Sequence, residues 1–190
     1  MRRISKKNKK GFTLLEMMLS IAIIVMVSGL LVTLIVCIKD SFMTVFNQND
    51  SADYAMLFAR GFEQSFLGKV VNETSDPSYE YHVGVNGAGS YRLFCNSHSV
   101  FDTAQSRTQN GTVEKWEIKM GYKWDDSRNM VLYKVYVWDN YYNPGKLAYI
   151  YEGGFMIPHF SDQIGEITVS GSNIVSGDTD YKDHIKFKPA

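Results

Sequence analysis

Gly11 to Ile38 reads GFTLLEMMLSIAIIVMVSGLLVTLIVCI, and it follows a leader, MRRISKKNKK, with six basic residues and no acid. From Met17 to Ile38 there are 22 residues without a charge. At ~1.5 Å rise per residue a helix of that length reaches ~33 Å, enough to span a bilayer. A secretory signal instead has an apolar core of roughly 7–15 residues followed by small residues at a cleavage site, and this stretch has neither. A lipoprotein signal wants a small side chain just before its cysteine, where Cys37 has Val36. The basic cluster lies on the N-terminal side, so the positive-inside rule keeps the leader in the cytoplasm and sends the rest across.

One carboxylate, Glu16, interrupts this apolar run. A charge inside such a helix costs on the order of 2–3 kcal/mol near mid-span and less near the end, which is why it usually has a function. The sequence offers no cation close by. The residues alone therefore leave two readings: a shallow carboxylate that reaches the headgroups and does nothing more, or a group whose partner comes from elsewhere.

The whole pattern of basic leader, Gly11, Phe12 and Glu16, four residues beyond the phenylalanine and ahead of a long apolar helix, resembles the class III signal of type IV prepilins and pseudopilins. The resemblance implies that a membrane prepilin peptidase cuts between Gly11 and Phe12 and that Phe12 is then N-methylated. Glu16 becomes the fifth residue of the mature chain. It also implies the missing partner, the α-amine of Phe12 on a neighbouring subunit, with the two groups offset by ~6 Å along the axis from four residues of rise. A desolvated pair of this kind specifies register more than it adds stability. The implied function is a structural subunit of a type IV pilus, a type II secretion pseudopilus or a competence pseudopilus. Its partners are other pilin or pseudopilin subunits and, indirectly, a cytoplasmic assembly ATPase and membrane platform. Filament-tip pilins often lack the glutamate, so Glu16 argues against that role, and a large aromatic head suits a minor subunit. The chain departs from many pilins in having Thr33 where they carry a helix-breaking proline, which leaves Gly29 as the weak point of the span.

Beyond Ile38 the helical rhythm continues through Phe42, Phe46, Asn49, Ala52, Met56, Ala59, Phe62 and Phe66, a spacing that predicts one buried helix face. Thr44, Asn47, Gln48, Asp50, Ser51, Arg60, Glu63 and Gln64 are expected on the remaining surface, and Gly68 marks a C-terminal stop. One helix from Phe12 to Leu67 would run ~84 Å. The other reading is a span and a separate helix, bent at Gly29 or Ser41.

From Lys69 onward the composition shifts to aromatics, β-branched residues and turn formers. Val113 to Trp124 is the clearest strand: Trp116, Ile118, Met120, Tyr122 and Trp124 face a core, while Lys115, Glu117, Lys119, Gly121 and Lys123 make a solvated face. The turn Asp125 to Asn129 joins it to Met130 to Trp138 as an antiparallel hairpin. Shorter strands are expected at Tyr79 to Val85, Tyr91 to Cys95, Leu147 to Glu152, Glu166 to Ser170 and His184 to Lys188. The expected organisation is a leader over 1–11, the transmembrane half of the helix over 12–38, its amphipathic half over 39–67 and a globular β head over 68–190. The fold class is α+β, with the long helix covering an antiparallel sheet in the pilin-like manner.

Removing the leader leaves 14 basic against 20 acidic residues, which disfavours nucleic acid as a partner. Cys37 and Cys95 lie in the span and the head, so no intrachain disulfide is expected. His82, His98, His159 and His184 have no metal-ligand spacing, no GxSxG elbow occurs, and Gly84 to Gly89 opens no helix after a strand. Nothing reads as an enzyme. Asp178, Asp180 and Asp183 share a polar loop, where some pseudopilins that the chain resembles bind calcium; a solvated turn is the plainer reading, and no other cofactor is expected. The rival function is a signal-anchored extracytoplasmic module whose head recognises a ligand.

Overall fold

In the computed structural model the described residues are 13–72, 78–85, 90–102, 115–141, 144–157 and 164–190. Gly11, Phe12 and His159 lie outside them. One helix, α1, runs Leu14–Asn72. Eight strands follow among the described residues: β1 Tyr79–Val85, β2 Tyr91–Cys95, β3 His98–Asp102, β4 Trp116–Asp125, β5 Met130–Asp139, β6 Lys146–Met156, β7 Ile164–Asn173 and β8 Lys182–Pro189.

Helix α1 is assigned without interruption at Gly29 or Ser41. It also continues through Gly68, the residue expected to stop it. Two residues on, Val70 is buried in the core, and that burial offsets the roughly 1 kcal/mol that glycine costs a helix interior. By its contacts the chain divides into two compact units between Phe46 and Asn47.

In the first unit, Thr13 to Phe46 is open and Met17 to Ile38 carries no charge; Met43 alone is half-buried. The segment is long and apolar enough to cross a membrane. Its hydroxyls bond back to the preceding turn, Ser20 Oγ to the Glu16 carbonyl at 2.7 Å and Thr33 Oγ1 to the Gly29 carbonyl at 3.0 Å. These two hydroxyls thus have acceptors within their own helix, as a lipid environment requires.

In the second unit, α1 packs on an eight-stranded antiparallel sheet of order β3-β2-β1-β8-β4-β5-β6, with β7 paired to β8. The β4–β5 hairpin is in unbroken register from Trp116↔Asp139 to Asp125↔Met130. Its turn is closed by Ser127 N–H and Ser127 Oγ donating to Asp125 Oδ1 at 3.1 and 2.6 Å, with Asn129 at φ 49. Between β8 and β4 the ladder is one bridge, Tyr122↔Lys182. Side chains, more than backbone, close that seam. Phe62 of α1 contacts Tyr81 of β1, Tyr122 of β4, Tyr133 of β5 and Phe155 of β6, with ring centroids 5.4, 4.9, 5.5 and 5.7 Å away. Phe66 adds Phe187 of β8 at 4.4 Å. Edge-to-face and tilted pairs of this kind contribute beyond their area burial.

The buried face of α1 is Ser51, Ala55, Phe58, Ala59, Phe62, Phe66 and Val70. This corrects the expected stripe. Phe42, Phe46 and Asn49 are exposed and Ala52 and Met56 are half-buried, whereas Ser51, expected outside, is fully buried and donates to the Gln48 carbonyl at 2.9 Å. Small residues at 51, 55 and 59 let the helix approach the sheet, and the phenylalanines fill what remains. Two polar anchors also join them. Asp50 accepts from Trp116 Nε1 at 3.1 Å and pairs with Lys115, and Glu63, expected on the open surface, accepts from the Tyr133 hydroxyl at 2.5 Å.

On β4, Trp116, Ile118, Met120 and Tyr122 are buried as expected, but the opposite face is not simply solvated. Lys115 pairs with Asp50, Lys119 with Glu117 at 2.9 Å and Lys123 with Asp180 at 2.7 Å. Gly121 is covered: a Cβ there would lie 2.9 Å from Tyr181 Cβ and 3.2 Å from Ile174 Cγ1. Strands β6, β7 and β8 are longer than expected, and β3 was not expected at all. A two-residue turn with Asn96 at φ 53 places Cys95 opposite His98 and folds β3 back on β2.

Candidate assembly segment

Thr13 precedes the first helical residue, and the run Thr13-Leu14-Leu15-Glu16 has the spacing of a capping box. The geometry bears this out. Thr13 N–H donates to Glu16 Oε2 at 2.8 Å, Thr13 Oγ1 donates to the same oxygen at 3.0 Å, and Glu16 N–H donates to Thr13 Oγ1 at 3.3 Å. Orphan donors at the helix start are satisfied by side chains of the same turn. The carboxylate also lies in the first turn, where the helix dipole favours a negative charge. Glu16 is therefore neither idle nor unpartnered within its own chain. The spacing of Thr13 and Glu16 was legible in the sequence and carries this signal. Around them Leu14, Leu15, Met18 and Leu19 are 82, 78, 65 and 62% exposed, so the capped carboxylate stands at the head of an uncovered apolar helix.

In the head, the three candidate calcium ligands are held by different groups. Asp178 Oδ2 accepts from the Tyr136 hydroxyl at 2.8 Å and from Lys134 Nζ at 3.3 Å, Asp180 pairs with Lys123, and Asp183 accepts from Ser172 N–H at 2.8 Å. Among the described residues no three His, Cys, Asp or Glu side chains come together as a metal would need. The Tyr136 hydroxyl, with Lys134 beside it, holds the Asp178 carboxyl below the usual range.

Two histidines distant in sequence do meet. His82 and His184 stack with ring centroids 5.1 Å apart, and Phe94 stacks on His82 at 5.4 Å. Asp183 lies 2.7 Å from His184 Nδ1. Burial, and then the neighbouring His184, push His82 down from its ordinary value. Strand pairing of β1 with β8 creates this row, so spacing along the chain could not show it. His98 lies on the exposed strand β3. Neither cysteine is in a disulfide; Cys37 is exposed and Cys95 buried.

Residues 6–32 match the family described as the prokaryotic N-terminal methylation motif. Residues 46–137 match the family described as the alpha amylase C-terminal all-beta domain, although residues 46–72 of that span are helix here, which an all-β domain does not accommodate. No curated protein and no solved structure gives a significant match. The N-terminal segment is thus a type IV pilin-like signal of class III, set ahead of a pilin-like α+β fold in which a long helix packs on an antiparallel sheet. The match covers 27 of the 190 residues and supports a precursor of the pilin or pseudopilin type.

Proposed function

We propose that this chain is a structural subunit, in a minor role, of a type IV pilus, a type II secretion pseudopilus or a competence pseudopilus. The leader stays in the cytoplasm, the helix crosses the cytoplasmic membrane and the head folds outside. Prepilin peptidase cuts between Gly11 and Phe12, Phe12 is N-methylated, and the subunit then leaves the membrane for a filament, driven by an assembly ATPase and membrane platform. The observation that carries this reading is the first unit: a helix open from Leu14 to Phe46, whose apolar run to Ile38 holds a single carboxylate, Glu16, at its start. Such a helix needs lipid before assembly and the helices of neighbouring subunits after it.

Glu16 then has two successive states. In the single chain it is satisfied by Thr13; in the filament the α-amine of Phe12 on a neighbour offers it a charge-assisted bond, which is the stronger kind. The exchange leaves no step at which the carboxylate is bare.

Intact mass and N-terminal sequencing of the protein recovered from membranes of its own host test the reading. A chain beginning with N-methylated Phe12 is expected. A chain still beginning at Met1, in a host shown to process other prepilins, overturns it and leaves a signal-anchored module.

A further inference from the structure

We propose that residues 174–181 form a strap closed across the outer face of β4, β5 and β6 by the protein's own cations, Lys134 and Lys123, so that closure depends on those lysines and on ionic strength and not on a divalent cation.

The strap begins with a turn in which Asp178 N–H donates to the Val175 carbonyl at 3.1 Å and Gly177 takes φ 104, a value L side chains rarely adopt. The turn presents Asp178 and Asp180, two residues apart in the chain, to neighbouring strands. Asp178 bonds to Lys134 and Tyr136 on β5, and Asp180 to Lys123 on β4. Lys134 is the hub: its Nζ lies 3.3 Å from Asp178, 3.1 Å from Glu152 on β6 and 4.6 Å from the centre of the Tyr181 ring. One ammonium on β5 thus meets two carboxylates and an aromatic face drawn from β6 and the strap.

The fit beneath is steric as well. Gly121 supplies the slot, because a Cβ there would press on Tyr181 and Ile174. An isolated exposed ion pair adds little, but here several charges share one ammonium, and the nearly buried Tyr136 relies on Asp178 to accept its proton. A divalent cation at this turn would have to displace Lys134 and Lys123 from the carboxylates they already neutralise. The strap therefore has its counter-charge built in.

Hydrogen exchange on the full chain in detergent, read by mass spectrometry over residues 174–181, tests this. Lys134→Gln is expected to speed exchange there by roughly five-fold while peptides from β1 and β2 are unchanged, and Lys134→Arg restores most of the protection. Added sodium chloride is expected to speed exchange of the unsubstituted strap, and EDTA or calcium chloride to leave it unchanged. If Lys134→Gln unfolds the head, the salt series and the calcium series decide alone. Protection that falls with EDTA and returns with calcium overturns the proposal, as does a strap indifferent to both Lys134 and salt.

Discussion

Thr13 and Glu16 close on each other reciprocally: Thr13 gives its N–H and hydroxyl to the carboxylate, and its hydroxyl oxygen in turn receives the Glu16 N–H. Threonine to alanine removes the cap, which costs about 1 kcal/mol at a helix start. Thr13→Ala is therefore expected to fray the first turn. The check is backbone amide exchange over Leu14 to Met17 in detergent, which should quicken by roughly five-fold.

Glu16→Ala should leave cleavage after Gly11 intact, because the side chain lies beyond the cut, and should lower the amount of subunit in filaments. The measurement is the mass of the processed chain together with its share in a sheared filament fraction. Full incorporation of the variant would show that charge pairing is unnecessary for assembly.

Phe62 touches four strands at once, so its loss opens a cavity that no single strand can close. Phe62→Ala is expected to destabilise the head by about 3–5 kcal/mol, read as a lower denaturant midpoint on the full chain in detergent.

The Tyr122 hydroxyl, fully buried beside Phe62, has no hydrogen-bond partner among the described residues. Burial drives its ionisation well above the ordinary tyrosine range. Tyr122→Phe removes only that orphaned group and is expected to raise stability by about 1 kcal/mol. An unchanged or lower midpoint would mean that the hydroxyl has an acceptor after all.

Asp178 gives a pH dependence with a definite sign. The Tyr136 hydroxyl and Lys134 hold its carboxyl below the ordinary aspartate value of 3.8, so its contribution is fully present above that value and is lost as pH falls through the depressed one. Strap protection should be flat from neutral pH to about pH 4 and fall only below it. Loss of protection beginning well above pH 4 would overturn the assignment to Asp178.

Much of this was legible in the residues. The alternation from Trp116 to Tyr122 and the turn at Asp125 fixed the central hairpin, because one face of that strand is packed on α1. The helix face was harder to phase. Phe42 and Phe46 are apolar like the buried phenylalanines, so periodicity joined two stretches that have different surroundings, and Ser51 hides its polarity in a bond to its own backbone. Strand β3 is exposed up to Phe101, which packs on Phe58, and it owes its place to that contact and to a turn at Asn96. The partners of Glu63, Lys134 and His82 come from helix packing, the strap and strand pairing, which no local pattern encodes. The capping box was different: its spacing, Thr13 to Glu16, stands in the sequence itself.

Joined through one backbone bridge at Tyr122 and Lys182, the sheet is mechanically two plates with a hinge, one of β3, β2, β1, β8 and β7 and the other of β4, β5 and β6. Within each plate, rows of peptide hydrogen bonds share a load. Across the hinge the load falls on side chains: the aromatic rivet of Phe62 and Phe66 and the bonds that tie Asp178 and Asp180 to β5 and β4. Under tension such a head is expected to flex first at its seam, with both plates whole.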